Sequence, residues 1–214
     1  MKTFYAMAAL AAFNLAAAQK TTEFKEIKSI TAGADIKLTL VRSDQNKLVA
    51  DGSDGHLQIM NVGGALVLNG DSGKITLYYK DALESITAAS DAEISGTDEI
   101  RSKELAITAA ADAKINLILN VGKLHTTAAS DARVTLSGKA TDHDAKLASD
   151  AELHALDLLT QNTNIALSSD ASATITATGI VNAAVLSDGS LKIHGNPKKV
   201  NQTKGGDAQI VVVK

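Results

Sequence analysis

Seven aspartates recur on one short phrase, Ala-Ser-Asp-Ala or a near copy, at Asp91, Asp112, Asp131, Asp150, Asp170, Asp188 and Asp207. Successive gaps are 21, 19, 19, 20, 18 and 19 residues, which marks a structural repeat. Carboxylates repeated at a short distance can share Ca²⁺ through oxygen ligands, so a cation-binding strip is one chemistry this series offers. One carboxylate per repeat is thin for that purpose, and the Gly-Gly-x-Gly-x-Asp pattern of calcium-binding β-rolls is missing. The preferred reading is conformational: a tight bend needs a residue at positive φ, where glycine is easiest and aspartate or asparagine is next. We therefore expect no dedicated metal site and no cofactor. Stacked in register, the aspartates would repel one another by about 1 kcal/mol per neighbouring pair in water, less with salt.

The remaining candidate chemistry is sparse. Five histidines, His56, His125, His143, His154 and His194, are scattered without metal-ligand spacing and are expected on solvated faces. Ser90, Ser130, Ser149 and Ser169 precede column aspartates and are expected to point inward as small packing residues, and no Gly-x-Ser-x-Gly elbow is present. Arginine is limited to Arg42, Arg101 and Arg133. The longest departures from the repeat, Gly96 to Lys103 and Leu156 to Asn164, are too short to wall a cleft. No catalytic residue is assigned.

The elements that position the column follow from periodicity. Between Leu105 and Leu119 every odd position is apolar or small, while Thr108, Asp112, Lys114 and Asn116 lie between them. That period of two defines strands and fails the 3.6-residue test of a helix, despite the many alanines. One strand–bend–strand unit cannot bury its own apolar face, so successive units must stack about 4.8 Å apart. A coil of 19 residues at roughly 3.3 Å each has a perimeter near 60 Å. The expected architecture is an all-β, right-handed parallel β-helix, the handedness following from the general rule for parallel connections. Asp35 lies 56 residues before Asp91, close to three more periods, with Ser53-Asp54-Gly55 and Asp71-Ser72-Gly73 near the intermediate points. The N-terminal third is less regular, and its turn-forming stretches, Asp51 to Gly55, Gly63-Gly64 and Gly70 to Gly73, suggest a cap or hairpin-like opening.

Composition bounds the class. Lys2 precedes an apolar run from Phe4 to Leu15 that ends in Ala16-Ala17-Ala18, the order of a secretory signal peptide covering residues 1–18. The remaining residues, 19–214, carry one continuous repeat and are expected to form one domain. No later stretch is apolar enough for a transmembrane helix. Cysteine is absent, so a protein that leaves the cytoplasm must be held by its core alone. Without the signal there are 20 basic and 24 acidic residues, a net charge of −4 with no nucleic-acid footprint. Aromatic residues make up only 3% and tryptophan is missing, which removes the usual stacking platforms for sugars and bases.

The phrase Ser-Asp-Ala-x-[Ile/Val/Leu] at Ser90 to Ile94, Ser130 to Val134 and Ser149 to Leu153 carries a resemblance. So do His194-Gly195-Asn196-Pro197 and the last copy from Gly205 to Ile210. The N-terminal pattern adds Phe24-x-x-Ile27, Gly33-Ala34-Asp35-Ile36 and Ile75-x-Leu77-Tyr78. Together they resemble the auto-transporter adhesin head GIN domain family over about residues 24 to 212. The resemblance implies a secreted or surface β-helical protein of a kind often met in Bacteroidetes-like bacteria, and it brings no catalytic residues. The family phrase usually reads Ser-Gly-Ala, so aspartate stands here at the glycine position.

The functional expectation is an exported, non-catalytic protein of the periplasm, cell surface or medium, acting in adhesion, binding or structural interaction. Its partner would be a cell-envelope or extracellular protein or glycan. The alternative is a polysaccharide-binding or polysaccharide-degrading β-helix protein. The C-terminal strand, Ile210 to Val213, is expected to offer an open edge for homo-oligomerisation or strand addition.

Overall fold

The structure is a computed structural model that describes residues 20–50, 57–70 and 74–213. The expected signal peptide with its cleavage site, His56, and the turn residues Asp51 to Gly55 and Asp71 to Gly73 lie outside the described residues. The chain is a β-solenoid of about 7 turns with roughly 19 residues per turn.

The long strand Lys114–Ala129 is laid in parallel on Arg133–Ala148, with Lys114 opposite Arg133 and Ala129 opposite Ala148. Such a strand covers both faces of a coil by bending midway. Its buried residues are Ile115, Leu117, Leu119 and Val121 before the bend, then Leu124, Thr126 and Ala128 after it. The alternation thus slips by one residue at Gly122. Parallel pairing puts like residues above like: Leu38, Ile94, Ile115, Val134, Leu153, Ala173, Leu191 and Ile210 occupy one continuous ladder. Each fully buried Leu or Ile contributes about 1.5–3 kcal/mol, and the ladder shares that burial among all coils. The core runs unbroken from Ile27 to Ile193.

The N-terminal third departs from the simple count of periods. Ser29–Ala32 pairs in parallel with Ala65–Asn69 on one side and with Ser85–Ala89 on the other, so Ile30 sits between Leu66 and Ile86. Lys37–Arg42 is likewise held between Lys74–Tyr79 and the strand beginning at Glu93. The bend at Asp35 therefore neighbours the bend at Asp91 directly, with no coil between them. The physical reason is an excursion. After its first coil the chain runs back as Lys47–Ala50, antiparallel to Lys74–Tyr79, and as Gln58–Val62, antiparallel to Ala65–Asn69. The coil from Ala65 to Tyr79 is thus added outside the first, and the chain returns to the inner side at Ser85. With Lys20–Glu23 paired antiparallel to Lys47–Ala50, these strands close the N-terminal end, as the hairpin-like opening anticipated.

Candidate binding surface

The aspartate column sits at the sharp corner of the coil. Asp91, Asp112, Asp131, Asp150, Asp170 and Asp188 have φ of 64°, 61°, 61°, 60°, 61° and 48°, and each follows a residue that is also at positive φ. Two successive left-handed residues make a type I′ turn, closed at the first copy by Ala92 N–H donating to the Ala89 carbonyl at 3.3 Å. At the ends of the column only the preceding residue, Ala34 or Gly206, is left-handed. The Asp backbone continues the sheet through the corner. Asp91 N–H donates to the Ala111 carbonyl at 3.0 Å, Asp112 N–H to Ser130 at 3.0 Å and Asp131 N–H to Ser149 at 3.1 Å. These features support the conformational reading of the repeated aspartate.

The serines of the phrase do not point inward. Ser90, Ser130, Ser149 and Ser169 are exposed beside their aspartates, because the turn places both of its left-handed residues at the apex. The inward small residue is the alanine after each aspartate: Ala92, Ala113, Ala132, Ala151 and Ala171 are all fully buried. Among the described residues no group of three or more His, Asp or Glu side chains is placed to hold a metal ion.

The histidines divide. His143 is buried in the core, contrary to the expectation of a solvated face, because the slip at the mid-coil bend turns its position inward. Burial lowers its pKa to about 4. His125 lies on the outer face, with Nε2 at 3.0 Å from Glu104 Oε1 and Nδ1 at 3.6 Å from Asp144 Oδ2. His154 Nε2 shares the Glu152 carboxylate with Arg133, at 3.0 and 2.9 Å. The Arg133 hydrogen bond is the main reason the Glu152 carboxyl is held below its ordinary range. His194 is half-buried in the strand Ser190–His194.

The outer surface of one face carries a charged column, in which Glu93 lies between Lys37 at 3.5 Å and Lys114 at 3.6 Å. The opposite face carries a column of amides that the sequence reading did not single out. Asn164 Nδ2 donates to Asp144 Oδ1 at 2.6 Å, Asn182 Nδ2 to Asn164 Oδ1 at 2.7 Å, and Asn201 Nδ2 to Asn182 Oδ1 at 2.7 Å. The signal lay in the repeat, since these residues are spaced 20, 18 and 19 apart, but the aspartate phrase drew the alignment to the corner instead. Beside the ladder, Ala166 and Ala184 are opposite each other in register, between Lys146 on one side and Thr203 on the other. Two short side chains in a row of longer ones leave a hollow of about 670 Å³, lined by the amide ladder along one edge. A second hollow of about 320 Å³ meets it over the same alanines and is bounded by Leu186.

The departures from the repeat remain within the sheet. Asp98 accepts a hydrogen bond from the Arg42 backbone N–H at 3.1 Å, and Leu156 and Asp157 are accommodated where the register shifts between Thr135 and Gly138. Neither rises as a wall.

Residues 24–197 match a family described as "Putative auto-transporter adhesin, head GIN domain". The solenoid continues past the matched region through Lys199–Lys204 and Gln209–Val212. No curated protein matches the chain significantly. Among solved structures, a "putative adhesin" of Bacteroides fragilis superposes with a TM-score of 0.83 at 20% identity, over 92% of this chain and 96% of that one. A "putative adhesin" of Parabacteroides merdae gives 0.73 at 18% identity, over 92% and 96%. A "putative lipid binding protein" of Parabacteroides distasonis gives 0.68 at 16% identity, over 92% and 97%. At such identities the likeness is one of fold.

Proposed function

The chain belongs to the auto-transporter adhesin head GIN domain family, and from that premise we propose that it is an exported, non-catalytic binding protein of the cell envelope. Residues 1–18 are its export signal, and residues 19–214 act as one domain in the periplasm, on the surface or in the medium. Its partner is a macromolecule of the envelope or the surroundings, met along the outer faces of the coils.

The observation that carries this reading is the continuity of those faces. Side chains repeat from coil to coil as the charged column and the amide ladder, and the irregular segments are absorbed as bulges. A repeated flat surface suits an extended contact, whereas a β-helix enzyme needs acid and base groups converging in a walled cleft. Among the described residues no helix is long and apolar enough to cross a membrane.

The test uses immobilised protein comprising residues 19–214. Retention of a defined component from native envelope or culture-medium fractions is the expected outcome. Release of reducing ends or unsaturated sugars from polysaccharide substrates would overturn the non-catalytic reading, and failure to retain anything would overturn the binding one.

A further inference from the structure

We propose that the hollow beside the amide ladder binds a neutral, linear oligosaccharide lying along the solenoid axis; this deepens the binding role above and rests on it. The ladder has a fixed polarity. A carboxylate can only accept, so Asp144 compels Asn164 to turn its N–H group toward it. The Asn164 oxygen is then left to accept from Asn182, and the Asn182 oxygen to accept from Asn201. Orientation is passed along three side chains from one charged end.

An amide has two N–H donors and two acceptor lone pairs. Asn164 and Asn182 each use one donor and one lone pair in the ladder, which leaves each with one N–H and one lone pair. Two neighbouring hydroxyls of a pyranose, each both donor and acceptor, match that edge. The ladder presents it again at each coil, about 4.8 Å on. Beside the polar edge, the methyls of Ala166 and Ala184 form a low apolar floor suited to the C–H face of a sugar ring. From Lys146 to Thr203 is three coil steps, about 14 Å, which holds about two or three rings.

Other occupants fit less well. An extended peptide repeats its hydrogen-bonding groups at about 3.3 Å per residue, out of step with the coils. An acyl chain would cover the free amide N–H groups without pairing them, at a cost of about 1–3 kcal/mol each. Charge gives an anionic polymer no net attraction, because Asp144 at the head of the ladder is offset by Lys123, 3.8 Å away, and by Lys146 at the same end of the hollow, while the rest of the edge is neutral amide.

The test is side-chain amide NMR of Asn164, Asn182 and Asn201 during titration with cellotetraose, xylotetraose, mannotetraose and N-acetylated chitotetraose. At least one probe should shift all three amides with a dissociation constant on the order of millimolar. Ala184→Phe, which fills the hollow on an exposed face, should abolish the shifts while leaving the melting temperature close to wild type. Asn182→Leu should weaken binding about tenfold, the loss of roughly two hydrogen bonds. If no probe moves these amides, or if the shifts persist in Ala184→Phe, the proposal is overturned. Equal capture of an envelope component by wild type and Ala184→Phe would overturn it too, while leaving the binding role intact.

Discussion

Thr126 Oγ1 and His143 Nε2 stand 3.0 Å apart inside the solenoid, on adjacent coils and out of reach of solvent. His143 is stacked on Thr163, whose hydroxyl lies 2.8 Å from that of Thr160, so a short polar seam crosses the aliphatic core between these coils. The other ring nitrogen, Nδ1, has no partner among the described residues. A charged imidazole here would leave water with little to replace it, and burial is accordingly the main reason that its pKa falls to about 4. Asp144 opposes the fall and His125 adds to it; both lie toward the outer face.

Acid lability follows. An unfolded chain binds the His143 proton below about pH 6.5, but the folded protein resists it until about pH 4. Protonation therefore favours unfolding, and the stability present above pH 6.5 is lost as pH falls toward 4. The loss from this residue approaches about 3 kcal/mol at the lower end. Urea midpoints measured from pH 7.5 to 4.5 should show a steeper decline for wild type than for the double variant Thr126→Val, His143→Leu, which removes both polar partners together. Parallel curves would mean that other groups govern acid unfolding.

The closed N-terminal end depends on a buried amide. Asn46 Nδ2 donates to Asp81 Oδ2 at 2.6 Å, and Asn46 Oδ1 accepts from Lys80 N–H at 3.0 Å. The same Asp81 oxygen accepts from Ile27 N–H at 2.9 Å, tying the first coil to the cap. Asn46→Ala leaves the Lys80 N–H without its partner and removes one donor from the Asp81 carboxylate. We expect a loss of about 2–3 kcal/mol by chemical denaturation. Asn46→Asp should cost more, because it faces one carboxylate with another. A neutral effect of Asn46→Ala would show that the cap contributes little.

How far the sequence disclosed this arrangement depends on where the repeat is local. From Glu93 onward, pairing joins residues about one period apart, so alternation and spacing together fix the coil, the inward alanines and the corner. Around Asp35 the pairing partner at Asp91 is 56 residues away, and the number happens to equal nearly three periods. Spacing alone cannot distinguish three stacked coils from one coil reached after an excursion. The serines were misplaced for a related reason: alternation describes strands, and a type I′ turn interrupts it with two outward residues. His143 escaped because in its own coil the slip falls at Thr141 and Asp142, two successive residues left out of the core between Ala140 and His143, which strict alternation does not foresee. The amide ladder was legible as spacing, but its chemistry depends on side chains meeting across coils.

Gly138 and Gly63 separate backbone strain from crowding. Both are left-handed, with φ of 99° and 57°. A Cβ at Gly138 would lie 2.1 Å from the Leu119 carbonyl oxygen in the preceding coil, whereas one at Gly63 would meet nothing within 4 Å. Gly63→Ala should therefore cost only the left-handed penalty of about 1–2 kcal/mol. Gly138→Ala must also push coils apart at the register shift and should cost more than about 3 kcal/mol, with reduced soluble yield. Equal melting temperatures for the two variants would contradict the close coil contact.

The aspartate column gives the prediction that separates its two chemistries. At Asp131, φ is 61° and the side chain is exposed. If the residue is kept for the turn, Asp131→Ala should lose about 1 kcal/mol, since alanine enters the left-handed region poorly and cannot bond the local backbone. Asp131→Asn keeps the turn and removes one charge between Asp112 and Asp150, so it should raise the melting temperature at low salt and lose that advantage as salt screens the column. The same screening predicts that CaCl₂ and NaCl at equal ionic strength act alike on the wild type. A stabilisation specific to calcium, lost in Asp131→Asn, would instead establish a shared cation strip and reverse the assignment of the column to the turn.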